Sequence, residues 1–311
     1  MTWPRARLRI VLSAAVFGAL ALELARHSTS QSVAPAPPIV KPARVNGVDL
    51  VYLEQGQGAP VLFVHGAFSD HRAWDGQREA VAQRYRYIAP TQRYFGTAPW
   101  PDDGERYSLA VHADDLAAFI REINVGPVHV VGWSYGGAIE LMLAAHHPEL
   151  VKSLLFFEPA LATFIEDPAD AKAAGDDRRE MVGAAATASK AGDATAAVRF
   201  FVDGVAGQPG HFDALAPATR SMFLDNARTI PLLFAAPPPP LLTCAQLGRI
   251  TAPVLIVMGE LTRPFFKIAA DTAHRCIPGS RLAVVPKGRH TAPATAPEAF
   301  NLVLLDFLRG S

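Results

Sequence analysis

The sequence predicts an α/β fold, in which a mostly parallel central sheet is flanked by helices and interrupted by an inserted helical segment. Short apolar runs rich in β-branched and aromatic residues alternate with segments whose apolar residues recur at three- and four-residue spacing. Runs that are apolar throughout are typical of strands buried on both faces. Their alternation with helices indicates parallel strands joined by crossover helices. A chain of 311 residues, 50% of them hydrophobic, is long enough to bury such a core.

Seven apolar runs bounded by glycine or proline are predicted strands. In chain order they are VDLVYLE (48–54), PVLFVHG (60–66), YRYIAP (85–90), VHVVGW (128–133), SLLFFEP (153–159), PVLIVMG (253–259) and RLAVVPKG (281–288). Three segments have the apolar spacing of amphipathic helices, namely HADDLAAFIREI, AIELMLAAHH and PEAFNLVLLDFL. We therefore expect residues 43–311 to form one domain.

Residues 160–248 break this alternation between the fifth and sixth predicted strands. The stretch is rich in alanine and polar residues, has no strong strand pattern and ends in Ala-Ala-Pro-Pro-Pro-Pro. We interpret it as an inserted helical cap. Its four prolines, residues 237–240, are expected to form a stiff return segment to the sheet.

The N-terminal residues have the layout of a secretory signal. Arg5, Arg7 and Arg9 precede an uncharged, mainly apolar stretch at residues 10–22, and Ala19-Leu20-Ala21 offers a small-x-small cleavage site. The apolar stretch is shorter than the roughly 20 residues that span a bilayer. We expect residues 1–32 to be a signal peptide and the protein to be exported, to the periplasm or beyond. An uncleaved membrane anchor and a misassigned start codon are the alternatives.

Residues 33–42, VAPAPPIVKP, are interpreted as a linker between this segment and the domain. Their prolines exclude a helix interior, because proline lacks the N–H that a helix requires and clashes with the preceding turn. We expect an extended conformation.

Charge and composition exclude several classes of function. The formal net charge is zero and the basic residues form no stripe outside the N-terminus, so a nucleic-acid partner is not expected. The sequence has no metal-ligand cluster and no dinucleotide fingerprint, so no cofactor or metal is expected. The expected partner is a small-molecule substrate, with membrane contact only if the N-terminal segment remains uncleaved. The sequence does not predict the oligomeric state.

A serine lies at the end of the fourth predicted strand, in Gly132-Trp133-Ser134-Tyr135-Gly136. Glycines flank it two positions away on each side, as required where a strand and a helix crowd together and any Cβ would clash. Such a turn presents the serine hydroxyl in an exposed position. A lone Gly-x-Ser-x-Gly is weak evidence, since small residues cluster in many turns.

Two further motifs follow predicted strands, His-Gly-Ala-Phe at residues 65–68 and Gly-Arg-His at residues 288–290. With all three motifs in this order, the sequence resembles the α/β-hydrolase fold superfamily over nearly all of residues 43–311. The resemblance is to serine hydrolases with a cap domain.

The resemblance implies a role for each motif. Ser134 would be the nucleophile and His290 the base that accepts its proton, because a serine hydroxyl is a poor nucleophile at neutral pH without one. The backbone N–H groups of Ala67 and Tyr135 would form the oxyanion hole, with Phe68 a near competitor of Ala67.

The third member of the triad departs from the common family pattern. Many relatives carry an aspartate three residues after the glycine that ends the penultimate strand, where this chain has Thr262. Haloalkane dehalogenases and zearalenone lactonases instead place their acid after the strand that follows the nucleophile helix, where this chain has Glu158. We favour Glu158, with Glu260 as the alternative acid. Dehalogenase and epoxide hydrolase chemistry is disfavoured, because those relatives use aspartate where this chain has Ser134.

Aromatic residues in and around the insertion are candidates for an apolar pocket, although such residues are more often simply core. They are Phe68, Trp133, Tyr135, Phe164, Phe200, Phe201, Phe223, Phe234, Phe265 and Phe266, with Phe68 and Trp133 the preferred pair. We expect hydrolysis of a carboxylic ester or lactone of a small, largely apolar substrate through an acyl-enzyme. A carbon–carbon hydrolase or perhydrolase with the same triad, and a non-catalytic binding relative, are the alternatives.

Two cysteines occur in the chain, Cys244 and Cys276. An exported protein could oxidise them to a disulfide. Two buried thiols acting as small apolar residues are the alternative, and the sequence leaves both open.

Overall fold

The computed structural model describes residues 35–311, and in this part of the chain an eight-stranded sheet forms the centre of the molecule. The predicted signal peptide, residues 1–32, lies outside the described residues. All seven predicted strands are present, and an additional strand precedes them. The strands are β1 (Ile39–Val45), β2 (Val48–Gln55), β3 (Pro60–Val64), β4 (Arg86–Pro90), β5 (Val128–Trp133), β6 (Val151–Phe157), β7 (Val254–Gly259) and β8 (Arg281–Val285).

The strand order is β1-β2-β4-β3-β5-β6-β7-β8. Strands β1 and β2 are antiparallel to their neighbours, and the six strands from β4 to β8 in this order pair in parallel. The predicted α/β class with a mostly parallel sheet is therefore confirmed. The carboxyl ends of the parallel strands lie at one edge of the sheet, where their following loops meet.

The first strand corrects the predicted linker. Residues 39–42, assigned from sequence to an extended linker, form the first half of β1 and pair antiparallel with β2, with Pro42 opposite Val51. Proline is tolerated here because β1 is an edge strand and one of its sides makes no ladder hydrogen bonds. Only residues 35–38 of the described linker lack regular structure.

Twelve α-helices accompany the sheet within residues 35–311. They are α1 (Asp75–Ala82), α2 (Leu109–Glu122), α3 (Tyr135–His146), α4 (Pro168–Lys190), α5 (Ala194–Ala206), α6 (His211–Ala214), α7 (Pro217–Asp225), α8 (Ile230–Ala235), α9 (Cys244–Leu247), α10 (Pro264–Cys276), α11 (Ala292–Thr295) and α12 (Pro297–Arg309). Two apolar cores lie on the two faces of the sheet, since alternate strand residues belong to different cores. Helices α2, α3 and α10 cover one face, and α1 and α12 cover the other.

The helical insertion, residues 160–248, lies between β6 and β7 and contains helices α4 to α9 but no strand. Asp167 begins α4 by accepting hydrogen bonds from the Ala169 and Asp170 N–H groups, both at 2.9 Å. The four prolines at 237–240 belong to neither a helix nor a strand. No helix in the described range is both long enough and apolar enough to span a membrane.

Polar contacts fix the insertion to the sheet domain, including those made by Arg263 and Asn226. Arg263 donates to the Asp177 carboxylate on α4 at 2.6 Å, and both side chains are largely buried. Asn226 donates to Asp70 at 2.8 Å and accepts the Gly96 N–H at 2.5 Å. Because these partners come from loops at the carboxyl edge of the sheet, the insertion is held over that edge.

A disulfide joins Cys244 at the start of α9 to Cys276 at the end of α10, with Cα atoms 5.0 Å apart. It closes a loop with a sequence separation of 32 residues. The end of the insertion is thereby linked covalently to a helix of the sheet domain.

Removing this disulfide is expected to destabilise the protein. A Cys244→Ser/Cys276→Ser variant should lose about 3 kcal/mol of unfolding free energy, because a cross-link of this loop length restricts the unfolded chain. Urea unfolding followed by circular dichroism measures the loss. Reductant should lower the unfolding free energy of the wild-type protein by a similar amount and leave that of the variant unchanged. Equal midpoints for oxidised wild type and variant would contradict the expectation.

Candidate active site

Ser134 occupies a strained turn between β5 and α3. Its backbone has φ 57° and ψ −113°, a conformation that a non-glycine residue adopts at a cost of about 1 to 3 kcal/mol. Hydrogen bonds hold it there. The Ser134 N–H donates to the Phe157 carbonyl at 2.9 Å, and the Ser134 carbonyl accepts from Ala138 at 3.0 Å and Ala160 at 2.9 Å.

The two glycines that flank this turn are required by the space around them. A Cβ on Gly136 would lie 2.1 Å from the Val64 carbonyl oxygen at the end of β3. A Cβ on Gly132 would lie 2.7 Å from the carboxyl group of Glu140 and 2.8 Å from the backbone of Gly136. The turn is as tight as the sequence motif predicts.

His290 and Glu158 are joined by a short buried hydrogen bond. His290 Nδ1 lies 2.6 Å from Glu158 Oε2, and the two residues are 3% and 0% exposed. A carboxylate accepts hydrogen bonds, so Nδ1 donates and the neutral ring keeps its lone pair on Nε2. The other carboxylate oxygen of Glu158 accepts the Gly259 N–H at 2.8 Å. Glu158 thus lies between the end of β7 and the histidine loop.

Glu260, the alternative acid, lies elsewhere. It is exposed and its carboxylate accepts the Lys287 N–H at 2.7 Å, in the turn after β8. It forms no hydrogen bond with His290. Of the two candidate glutamates, the structure places Glu158 against the imidazole.

Two aromatic residues fix the position of His290. The ring of Phe266 on α10 stacks on the imidazole, with centroids 3.9 Å apart and an interplanar angle of 11°. Trp133 Nε1 donates to the His290 carbonyl at 2.8 Å. In the sequence, Phe266 is only one of ten aromatic pocket candidates. Its contact with His290 depends on how α10 packs, and no local motif marks it.

The predicted oxyanion donors lie beside Ser134. Tyr135 is the first residue of α3, where an N–H has no acceptor within the helix. Gly66 brings the Ala67 loop close, since a Cβ on Gly66 would lie 3.4 Å from Ser134 Cβ. Within residues 35–311, no backbone carbonyl accepts from the N–H of Ala67 or Tyr135. The same holds for Phe68, the competing donor.

His65 supports the loop from below. Its Nε2 accepts the Gln92 N–H at 3.0 Å and its Nδ1 donates to the Gly66 carbonyl at 2.8 Å. Burial lowers the pKa of His65 to about 4, so the ring is neutral at physiological pH. This arrangement is structural.

A small cavity of about 20 Å³ lies between the two candidate groups and the insertion. Its lining consists of Gly66, Ala67, Ser69, Trp133, Ser134, Phe201, Val202, Val205, Phe223, His290 and Thr291. The side chains of α5 and α7 close it from the insertion side. Because the space is close to that of one water molecule, substrate entry requires these side chains to move.

The two preferred pocket aromatics have different positions. Trp133 borders the cavity. Phe68 does not, since it is fully buried and packs edge-on against Phe201 with ring centroids 4.6 Å apart. Its backbone φ of 54° turns the side chain into the core below the loop, so Phe68 supports the wall that Phe201 forms. The Tyr135 side chain is also directed elsewhere, with its hydroxyl 2.8 Å from His112 Nδ1.

No group of three or more His, Cys, Asp or Glu side chains within residues 35–311 is arranged to hold a metal ion.

Comparison with known proteins agrees with this fold. Residues 59–200 match the family model described as alpha/beta hydrolase fold. A bromoperoxidase from Bacillus anthracis has a similar structure, with a TM-score of 0.71, 22% identity, and coverage of 87% of this chain and 100% of that one. Est816, an N-acyl homoserine lactone degrading enzyme, has a TM-score of 0.65 and 22% identity over 86% of this chain and 100% of its own. The chain therefore has the α/β-hydrolase fold.

Curated relatives match at modest identity. An uncharacterized protein of Mycobacterium tuberculosis is 29% identical over 39% of this chain, and the match spans only 35% of that protein. The 2-(acetamidomethylene)succinate hydrolase of Mesorhizobium japonicum is 28% identical over 85% of this chain and 93% of its own length.

The close contact of α3 with the end of β3 at Gly136 can be tested without a substrate. Gly136→Ala should lower the unfolding free energy by about 1 to 3 kcal/mol or more, because overpacking forces the backbone of α3 away from β3. Thermal unfolding measures the effect.

Gly183 provides the matched control. It lies in α4, is exposed, and a Cβ there would meet no atom within 4 Å. Gly183→Ala should be neutral or stabilise by up to about 1 kcal/mol, because alanine is the better helix former. Equal effects of the two substitutions would mean that the contact with Val64 does not constrain the turn.

Proposed function

We propose that this protein is a serine hydrolase that cleaves a carboxylic ester or lactone of a small, largely apolar substrate through an acyl-enzyme. The observation that carries the proposal is the buried Glu158–His290 hydrogen bond beside the strained Ser134 turn, with Ser134 and His290 bordering one cavity. The mostly apolar lining supports an apolar substrate. The serine at the turn favours acyl transfer over the aspartate-dependent chemistry of dehalogenases and epoxide hydrolases.

The proposed steps follow from the geometry. Ser134 Oγ attacks the substrate carbonyl while His290 Nε2 accepts its proton, and Glu158 holds Nδ1–H and stabilises the imidazolium. The oxygen of the tetrahedral intermediate accepts from the Ala67 and Tyr135 N–H groups, reinforced by the positive end of α3. The imidazolium then protonates the leaving alcohol as the carbonyl–oxygen bond breaks. Water, activated by His290, repeats the sequence and releases the acid.

Relatives support the class of reaction. The Mesorhizobium japonicum protein is a 2-(acetamidomethylene)succinate hydrolase and Est816 degrades an N-acyl homoserine lactone, so hydrolysis and lactone degradation occur among similar proteins. We extend only the reaction class to this chain.

We also propose that the insertion acts as a cap and that the protein is exported. Four residues of the cavity lining, Phe201, Val202, Val205 and Phe223, come from the insertion, which supports a cap that selects substrate. The Cys244–Cys276 disulfide supports export, because disulfides persist mainly in oxidising compartments.

Covalent labelling tests the nucleophile. A fluorophosphonate should modify Ser134, and mass spectrometry of the digested protein should locate the adduct. Ser134→Ala should take no label and should lose esterase activity by at least about 10³-fold, because the acyl-enzyme can no longer form. A label on another serine, or full activity in Ser134→Ala, would refute the proposal. Absence of any label would favour a non-catalytic binding protein, and cleavage of a vinylogous diketone would favour a carbon–carbon hydrolase.

A pair of isosteric substitutions tests the acid. Glu158→Gln should lower kcat by up to about 10⁴-fold, the loss seen when a triad carboxylate becomes an amide in a serine protease. Glu260→Gln should stay near wild type, since the Glu260 carboxylate is hydrogen-bonded to the Lys287 N–H in the turn after β8 and not to His290. Both variants are assayed on one activated ester, with circular dichroism to show that they remain folded. The reverse order of effects would transfer the role of the acid to Glu260.

A further inference from the structure

A hydrogen bond connects the insertion to the residue that follows His290. His211 Nε2 lies 2.7 Å from Thr291 Oγ1. Thr291 is 2% exposed and borders the cavity shared by Ser134 and His290. None of the acyl-transfer steps proposed above uses this pair.

The Thr291 hydroxyl is free for this contact because the adjoining helix does not need it. Thr291 precedes α11, a position where threonine hydroxyls commonly accept helix N–H groups, but it makes no such bond. Pro293 has no N–H, and the Ala294 N–H donates to the Thr291 carbonyl at 2.9 Å. The hydroxyl is therefore held from the insertion side, by His211.

His211 is itself held firmly by its neighbours. The Asp203 carboxylate on α5 accepts the Gly210 N–H at 2.8 Å and the Phe212 N–H at 2.7 Å, on either side of His211. The Phe212 side chain is buried. The backbone of this segment thus sets where the imidazole lies, and through it where the Thr291 hydroxyl lies.

The rest of the cavity wall has few polar groups. Ser69 donates its hydroxyl to the Gly66 carbonyl at 2.8 Å, and the insertion contributes valine and phenylalanine side chains. A threonine hydroxyl has one proton and two lone pairs, so Thr291 retains hydrogen-bonding capacity after its contact with His211. Thr291 thus adds a hydroxyl group to the residues that line the cavity beside Ser134 and His290.

We propose that Thr291 binds an amide substituent next to the scissile carbonyl, and that His211 is the residue that positions its hydroxyl. The inference rests on the proposed function, since it assigns a substrate class to the same site. An amide can form a hydrogen bond with Thr291 whichever member of the Thr291–His211 pair is the donor. If Thr291 donates to His211, its oxygen accepts the amide N–H; if His211 donates, the hydroxyl donates to the amide carbonyl. The rest of the acyl group would contact the apolar wall.

Two esters of nearly the same shape test the inference, phenyl N-formylglycinate and phenyl valerate. They differ in whether the acyl chain carries an amide. Thr291→Val, which keeps the side-chain shape, should lower the ratio of kcat/KM for the formylglycinate to kcat/KM for the valerate about 3- to 10-fold, the value of one neutral hydrogen bond. Thr291→Ser should restore the wild-type ratio of the two esters.

His211→Phe tests the positioning role. It keeps an aromatic ring but removes the partner of the Thr291 hydroxyl, so it should produce the same selective loss as Thr291→Val. His147→Phe is the matched control, because His147 lies after α3 and contacts Arg121, away from the cavity, and both esters should be unaffected.

The ratio of the two esters separates the possible failures. Equal losses on both esters would show a structural role for Thr291 and overturn the inference, as would an unchanged ratio in the Thr291→Val variant. A wild-type enzyme that hydrolyses the valerate but not the formylglycinate would also overturn it, while leaving the proposed function intact. Hydrolysis of neither ester would contradict the proposed function and this inference together.

Discussion

The contact between the first turn of α3 and the end of β3 is the constraint on which the site depends. At Gly136 the helix backbone comes so close to the Val64 carbonyl that no side chain fits between them. Because α3 must start at this point, the chain leaving β5 has room only for a sharp turn, and Ser134 is at its apex. The same closeness brings the loop after β3 against Ser134, so the proposed nucleophile and the proposed oxyanion donors are positioned by one packing contact.

The position of Glu158 follows from strand order. Strands β6 and β7 are neighbours in the sheet, and their carboxyl ends lie side by side. The Glu158 N–H donates to the Val257 carbonyl, and the Glu158 carboxylate accepts the Gly259 N–H, so this residue spans the ends of both strands. A carboxylate that follows β6 therefore reaches His290 from beside the end of β7.

Local patterns made much of this predictable from the sequence. The seven strands and the turn at Ser134 are encoded in short runs of residues, where apolar periodicity and glycine spacing act directly on the backbone. Contacts between distant segments were not predictable. Strand β1 was missed because its proline and exposed residues resemble a linker, and the burial of Phe68 depends on how the insertion packs. Which of Glu158 and Glu260 lies against His290 depends on their positions in the folded protein, since both follow strands that end at the same edge.

Strain at Ser134 has a consequence for how such a chain changes over evolutionary time. Both Ser134 and Glu158 have positive φ, at 57° and 47°, a region that glycine enters without penalty. Replacing Ser134 by glycine would relieve backbone strain of about 1 kcal/mol or more while removing the hydroxyl that the proposed mechanism uses. Replacing Glu158 would instead leave His290 Nδ1 and the Gly259 N–H without their buried acceptor. Loss of Ser134 is thus favoured by folding stability, and only selection for turnover opposes it.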